Sequence, residues 1–428
     1  MLELPEKLAK ERLPRRSLAG TARPASAKAV LQALAKGLAS KPYREKTYVE
    51  IFRDGLTSDV ESSLMPERRL AFELVASLDE GRVARADEAT LAVAEAMVTH
   101  LGRAGSAAPS RNECASLAPL VAAAHDLPTA VRIVARANRL AVKSDRGYPT
   151  AVHVAPLPKL EHHHVRIERV DSLRHLVCAA DDAAYVAARA VAAALRSEAS
   201  EWQRALIDYV FPDEPWANED LASGLDRGAA IQILIAAASD ASALLRYTKE
   251  VSAGPIADVA FDLVSVLAPA DAIELFTVAL ARTLEKPSYG PVHKTPPRRI
   301  AQALACLAHP DATRVLSAYA AHPIVGAIVV EHLRAHPELA SAAHPSGKSG
   351  ALVAKVLEKR KRVVDAEPTP AASRGTLPIL RERPWRKKVT VDGAPILVPA
   401  QGDERAFVDV AMLAARFTPR DRWPVPSP

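Results

Sequence analysis

The 428-residue chain reads as an all-α protein: a superhelical stack of paired helices with a small irregular or hairpin segment at its C-terminal end. Three observations predict this. His-Pro pairs recur at His309-Pro310, His322-Pro323, His336-Pro337 and His344-Pro345, the first three 13 and 14 residues apart, each of those opening an alanine-rich apolar run. Proline suits the first helical position, where its missing N–H costs nothing and its φ is already helical. Glycine is scarce at 17 residues while proline reaches 33, the balance of many helices broken at stiff corners rather than strands joined by glycine turns. Hydrophobic residues make up 49% but aromatics only 4%, so the apolar content is dominated by alanine, and helices of this kind need many close neighbours. The length also exceeds a single core of about 250–300 residues, as an elongated stack or several domains would.

Taken in order, residues 1–25 are basic and proline-punctuated and read as a loosely held N-terminal arm. An N-terminal helical region follows over 26–143. Ser26 is placed to cap a helix over Ala27–Ala39, and further helical runs cover 45–54, 66–78, 86–102, 111–124 and 128–143. Pro149, Pro156 and Pro158 break the pattern over 144–175, an irregular insertion or short hairpin.

Helical repeats resume over 176–364, first at Asp181–Arg196 and Glu201–Phe211. The clearest amphipathic case is Pro255–Leu267: Ile256, Val259, Ala260, Leu263 and Leu267 share one face, and Asp258, Asp262 and Ser265 the opposite one. Ala270–Leu284 follows at once as an antiparallel partner, and 285–297 is a proline-rich loop. Arg298–Ala308, Asp311–Ala321, Ile324–Ala335 and a turn from Glu338 then repeat helix, short corner, helix, which is the HEAT-like pattern. A last helix spans Ser349–Val364, and 365–376 is a Pro/Ala/Ser linker. The C-terminal segment, 377–428, holds an edge hairpin, with Val389–Val391 and Pro395–Val398 about a turn at Asp392-Gly393, and a final helix over Glu404–Phe417.

The formal charge is +6 and is unevenly spread: between Lys355 and Lys388 there are 11 Lys/Arg against 4 Asp/Glu, which leaves the rest of the chain near neutral. Cys114, Cys178 and Cys306 are far apart and odd in number, so they form neither a metal-spaced pair nor a disulfide framework and read as buried free thiols. The first sixteen residues are charged throughout without an apolar signal core, and no apolar run approaches the roughly 20 residues of a membrane span; the expectation is a cytoplasmic protein with no membrane partner.

Motifs that carry chemistry are sparse. Glu161-His162-His163-His164, with His153, Asp171 and His175 nearby, is a poor metal shell because adjacent side chains diverge, and it reads as a solvated loop. Ser346-Gly347-Lys348-Ser349-Gly350 holds the end of a phosphate-binding loop, but Ala342 stands where the loop needs its first glycine, so it reads as a helix entry. The remaining nucleotide, hydrolase and metalloprotease templates are absent, and no cofactor or catalytic residue is assigned. The best candidate contact surface is the basic run: Lys359, Arg360, Lys361 and Arg362 at a helix end, then Arg381, Arg383, Arg386, Lys387 and Lys388 around Trp385. Positive charge there complements a helix C-terminus without any ligand, and it also suits phosphates, with arginine able to stack on indole.

Two segments, Val329–Ala340 and Leu377–Lys388, follow one another across the linker. In this order the chain resembles the N-terminal region of large bacterial proteins related to the molybdate metabolism regulator MolR, where alanine-rich HEAT-like repeats precede an LP…L…PW segment. Leu377, Pro378, Leu380, Pro384 and Trp385 are the matching positions, and about 40 residues follow Trp385 where family members continue for hundreds. The resemblance implies fold and carries no settled activity. The leading functional expectation is a non-catalytic scaffold that binds another protein; the alternative is nucleic-acid binding through 355–388. Some HEAT-like stacks are DNA glycosylases that use Trp and Asp, for which Trp202, Asp208, Asp213 and Trp216 are the available residues.

Overall fold

The structure, a computed structural model, describes residues 12–18, 20–39, 47–58, 65–101, 116–144, 152–156, 168–223, 230–285, 295–343, 347–366, 389–391 and 394–396. The chain divides into two units, residues 1–360 and 361–428. The first begins with helices α1 (Ala27–Ala39), α2 (Tyr48–Ser58), α3 (Met65–Ala76), α4 (Glu80–Arg85), α5 (Glu88–Leu101), α6 (Ala118–Ala124) and α7 (Leu127–Ala137). An antiparallel hairpin follows, β1 (Leu140–Ser144) with β2 (Val152–Pro156), in which Val142 pairs with Val154. Next come α8 (Glu168–Ala179), α9 (Asp182–Ser197), α10 (Glu201–Val210), α11 (Trp216–Ala222), α12 (Ala230–Ala237) and α13 (Ala241–Glu250). Then α14 (Gly254–Asp258), α15 (Ala260–Val266), α16 (Pro269–Glu285), α17 (Thr295–Cys306), α18 (Pro310–Ala318) and α19 (Gly326–Ala335) lead through a 3-10 turn at Pro337–Ala342 into α20 (Gly347–Ala366). In the second unit β3 (Val389–Val391) pairs antiparallel with β4 (Ala394–Ile396), the hairpin expected there.

The fold is a stack of helix on helix. Contacts between helices two or three apart along the chain run through the whole stack, so that α4, α6, α8, α10, α12, α14, α17 and α19 form one row. Helices α3, α5, α7 and α9 form the facing row, which α11, α13, α16 and α18 continue. This alternation is what a helical-repeat solenoid requires, because each repeat covers the apolar face of its neighbour. Alanine makes the rows close: Ala188, Ala192, Ala257, Ala272, Ala279, Ala301 and Ala312 are wholly buried among leucines and isoleucines. Caps mark the starts. Ser26 Oγ accepts from Ala29 N, and Asp79, Asp126, Asp181 and Asp240 each accept from a first-turn N–H of α4, α7, α9 and α13.

Four departures from the sequence expectation bear on the site. Helix α7 stops at Ala137 and the chain turns into β1 at Leu140, where a continuous helix to 143 was expected. Residues 168–175 of the supposed insertion are helical, forming the start of α8. The expected helix Pro255–Leu267 is broken at Val259 into α14 and α15. Its apolar stripe is buried as read, but Asp262, placed on the polar face, is buried as well and accepts from the backbone N of Leu13. The cause is the fourth difference. From Arg12 onward the arm is not loosely held: Leu13, Pro14 and Arg15 are buried against the stack and cover that face.

The His-Pro corners solve a hydrogen-bond problem. Proline removes one unpaired N–H at the helix start, and the preceding histidine accepts the next: Asp311 N to His309 Nδ1 at 3.2 Å, and Ile324 N to His322 Nδ1 at 3.3 Å. His336 instead meets the Glu338 carboxylate at 3.3 Å, and His344-Pro345 lies outside the described residues. Before the first corner, α17 ends through Ala308 at φ +47°, a left-handed position that normally takes glycine. Ala308→Gly is therefore expected to raise stability by about 1 kcal/mol in chemical denaturation, and an unchanged or lower midpoint would refute the strain.

His332 in α19 is buried, with Nε2 2.8 Å from Thr313 Oγ1, and burial lowers its pKa to about 4, the neighbouring His336 adding to the effect. Its folded pKa lies below the ordinary value of 6.5, so its contribution is present above about pH 6.5 and is lost as pH falls towards 4. His332→Gln is expected to flatten that loss, read as a smaller fall in melting temperature between pH 7 and pH 5 than in the parent.

Candidate functional site

The most elaborate polar site lies where the arm crosses the ends of α8, α10 and α12. Arg15, only 3% exposed, donates from Nη1 to Pro212 O at 2.6 Å and from Nη2 to Ala237 O and Ala238 O at 2.9 Å each. These carbonyls follow the last turns of α10 and α12, where a helix leaves acceptors without intrahelical donors and carries partial negative charge. Arg174 of α8 works beside it, donating to Pro14 O at 2.9 Å and Ala236 O at 3.3 Å while its guanidinium stacks 4.3 Å from the Tyr209 ring centroid. Loss of water, then the like charge of Arg174, lower Arg15 to about 10; Asp213 and Asp262 act in the opposite direction.

The arm's backbone is held on both sides of that anchor. Arg16 N donates to Asp213 at 2.8 Å, and Ser17 Oγ to the same carboxylate at 2.5 Å. Arg16 reaches the Ala180 carbonyl and Asp182, and lies 4.3 Å over the Tyr185 ring. Cys178 Sγ sits 3.4 Å from Pro14 O, its thiol pushed up to about 11 by burial. Further on, Arg23 N donates to His175 Nδ1 at 2.9 Å.

A second cluster joins α9, α10 and α11. Arg196 bridges two buried carboxylates, Asp208 at 2.8 Å and Asp220 at 2.8 Å, and Arg204 also pairs with Asp220. Burial raises the Asp208 carboxyl, Arg196 pulls it back down, and the charge of Asp220 adds to the rise. The Arg196 guanidinium lies 5.6 Å from the Trp216 ring, which packs on Phe211. Trp202, Asp208 and Trp216 are thus buried, and Asp213 is engaged by the arm. The four residues considered for glycosylase chemistry do not converge on an open cavity.

Two hollows remain. A narrow apolar crevice of about 30 Å³ between α7, α8, α9 and α10 is lined by Val134, Leu173, Leu206 and Phe211, with Arg139 and Gln203 as polar lining. A groove of about 300 Å³ runs between α19 and α20, lined by Val330, Leu333, Leu352, Val353 and Val356 with Glu331 and Arg334. Leu352 is 45% exposed there. Ser349 pins α20 to the preceding repeat by donating to Ala318 O and accepting from Ala321 N, so the Gly-Lys-Ser sequence is the helix entry expected of it.

Of the basic contact residues, Lys359, Arg360, Lys361 and Arg362 lie on the last turns of α20, whereas Arg381, Arg383, Trp385, Arg386, Lys387 and Lys388 lie outside the described residues, as do His162, His163 and His164. Asp171 accepts from Tyr209 and His175 from Arg23, so neither waits for a metal. Among the described residues no group of three or more His, Cys, Asp and Glu could hold a metal ion, and no helix is long and apolar enough to cross a membrane. The arm site was missed from sequence because Arg15 meets its partners 197 to 223 residues away. No family model, curated protein or solved structure matches the chain.

The Arg196 cluster is structural, and its removal has a defined cost. Arg196→Gln leaves Asp208 and Asp220 buried with one arginine between them, and is expected to destabilise by about 3–5 kcal/mol in urea unfolding. A loss below about 1 kcal/mol would show the carboxylates already neutral or solvated.

Proposed function

We propose that this protein is a cytoplasmic, non-catalytic helical-repeat scaffold that binds another protein. The observation that carries this reading is the contrast between its polar and apolar features. Its buried ionisable clusters are paired internally, as Arg196 is with Asp208 and Asp220, whereas the α19–α20 groove leaves apolar side chains open beside Glu331 and Arg334. An apolar groove rimmed by charge is the ordinary form of a protein contact. Kinship with the MolR-related proteins belongs to the same reading. Val329–Ala340 supplies most of α19 and the turn after it, so the groove falls on the segment that carries that resemblance.

A second reading, nucleic-acid binding, is favoured by the continuation of α20 through Lys359–Arg362, which concentrates positive charge along one helix end. One experiment separates the two. The full chain and its Leu352→Asp variant are used to recover partners from the native host, and both are titrated with duplex DNA and RNA at 50 and 200 mM salt. The scaffold reading expects a discrete protein recovered by the parent and reduced at least about tenfold by Leu352→Asp, at unchanged melting temperature. Recovery indifferent to Leu352→Asp, together with nucleic-acid binding that weakens steeply with salt, would replace it by the second reading.

A further inference from the structure

The helix ends of the stack are finished by a recurring device. Arg246 of α13 donates to Leu221 O and Ala222 O at the end of α11, at 2.8 and 3.0 Å. Arg282 of α16 donates to Thr248 O and Lys249 O at the end of α13. Arg299 of α17 donates to Ala257 O and Asp258 O at the end of α14, at 3.0 and 3.2 Å. In each case the arginine comes from the next helix in the same row. The ends of α10 and α12 lack it. The successor of α10 is α12, Ala230–Ala237, and the successor of α12 is α14, Gly254–Asp258; neither contains a basic residue. At those two ends the guanidinium comes from the arm: Arg15 takes Pro212 O beyond α10 together with Ala237 O and Ala238 O at the end of α12.

We propose that the ends of α8, α10 and α12 form a recognition site for an extended, arginine-bearing peptide segment, that Leu13–Ser17 fills it in cis, and that a partner protein carrying a Pro-Arg-Arg segment exchanges with the arm. This rests on the scaffold reading and names a partner chemistry for a different face from the α19–α20 groove. Three features support it. The arm is read as a peptide ligand is read: backbone groups of Leu13, Pro14, Arg16 and Ser17 bond to side chains of the stack, while one side chain, Arg15, is sunk as anchor. Its contact is mainly polar. Leu13 and Pro14 are its buried apolar side chains, and the carbonyls it covers are ones that water satisfies when a helix end is open, so departure leaves the alanine-rich rows intact. It is also hinged, because Arg23, Pro24, Ala25 and Ser26 are all exposed between the site and α1, and Gly20 turns the chain at φ +73°. The carboxylates Asp213, Asp182 and Asp262 give the site the charge that selects a basic segment.

The test keeps the whole chain. A site-specific protease sequence is inserted between Pro24 and Ala25 and cut in the folded protein, and fluorescent peptides of residues 12–22 are added with Arg15 or with Arg15→Ala. The expected result is exchange of the parent peptide into the cut protein with unchanged helical circular dichroism, the Arg15→Ala peptide binding at least about tenfold more weakly. In the uncut full chain carrying Cys114→Ser and Cys306→Ser, Arg15→Ala is expected to speed thiol labelling of Cys178, which lies under Pro14. Failure of the parent peptide to enter, equal binding of both peptides, loss of helical signal when the fragment leaves, or concentration-dependent dimers that swap arms would each overturn the proposal. None of those outcomes touches the recovery of partners through Leu352, so the two readings fail separately.

Discussion

Short helices impose the constraint on which this structure depends. A helix leaves its first four N–H groups and last four C=O groups without internal partners, so in helices of five to twenty residues the ends are a large share of the whole. A long helix can leave its ends in water. A stack cannot, because its corners meet neighbouring rows. The chain answers at the two ends with different chemistry. At helix starts it uses aspartate, serine, and proline preceded by histidine; at helix ends it uses arginine sent across from the next helix in the row. The arginine solution is doubly suited, since it supplies several donors in a fixed fork and places positive charge at the negative end of the helix dipole.

Close spacing of the rows is what lets arginine do this. Wholly buried alanines such as Ala272, Ala279 and Ala301 bring backbones near enough for a side chain on one helix to reach the carbonyls of another. The same tightness appears at Gly326 in α19, where a Cβ would stand 2.5 Å from the carbonyl oxygen of Ala320. Composition and capping are therefore one arrangement: small side chains close the gap that arginines then bridge. The Arg196–Asp208–Asp220 cluster is of another kind. There arginine pairs with carboxylates rather than carbonyls, and the charges hold α9, α10 and α11 in register around Trp216.

Much of this fold was legible in the sequence, where a local signal exists. Ser26 located α1 to the residue, and the His-Pro pairs located the corners at 309 and 322, because capping acts within three or four positions. Helix α12 was not legible. Seven of the eight residues of Ala230–Ala237 are buried, so it carries no face-to-face contrast from which a period can be read. Asp262 misled for the converse reason: the helical period placed it correctly on the polar face of its helix, but no periodicity reveals that another segment covers that face. The arm was misread because a basic, proline-punctuated stretch has the same composition whether it is solvated or laid along helix ends.

That last misreading bears on where function is sought in such a protein. Charge runs such as Lys359–Arg362 stand out in a sequence because neighbours repeat one another, and they mark solvated helix ends as readily as binding surfaces. Arg15 stands out in no window. Its importance comes from an absence elsewhere, the lack of any basic residue in α12 and α14, where α13, α16 and α17 each supply an arginine to the preceding end of their row. A repeat architecture makes such an absence readable, since each row states what its next member should provide. Where a member falls short, the stack presents bare carbonyls at a fixed spacing, and whatever segment brings guanidinium to them is held by geometry that the fold has already built.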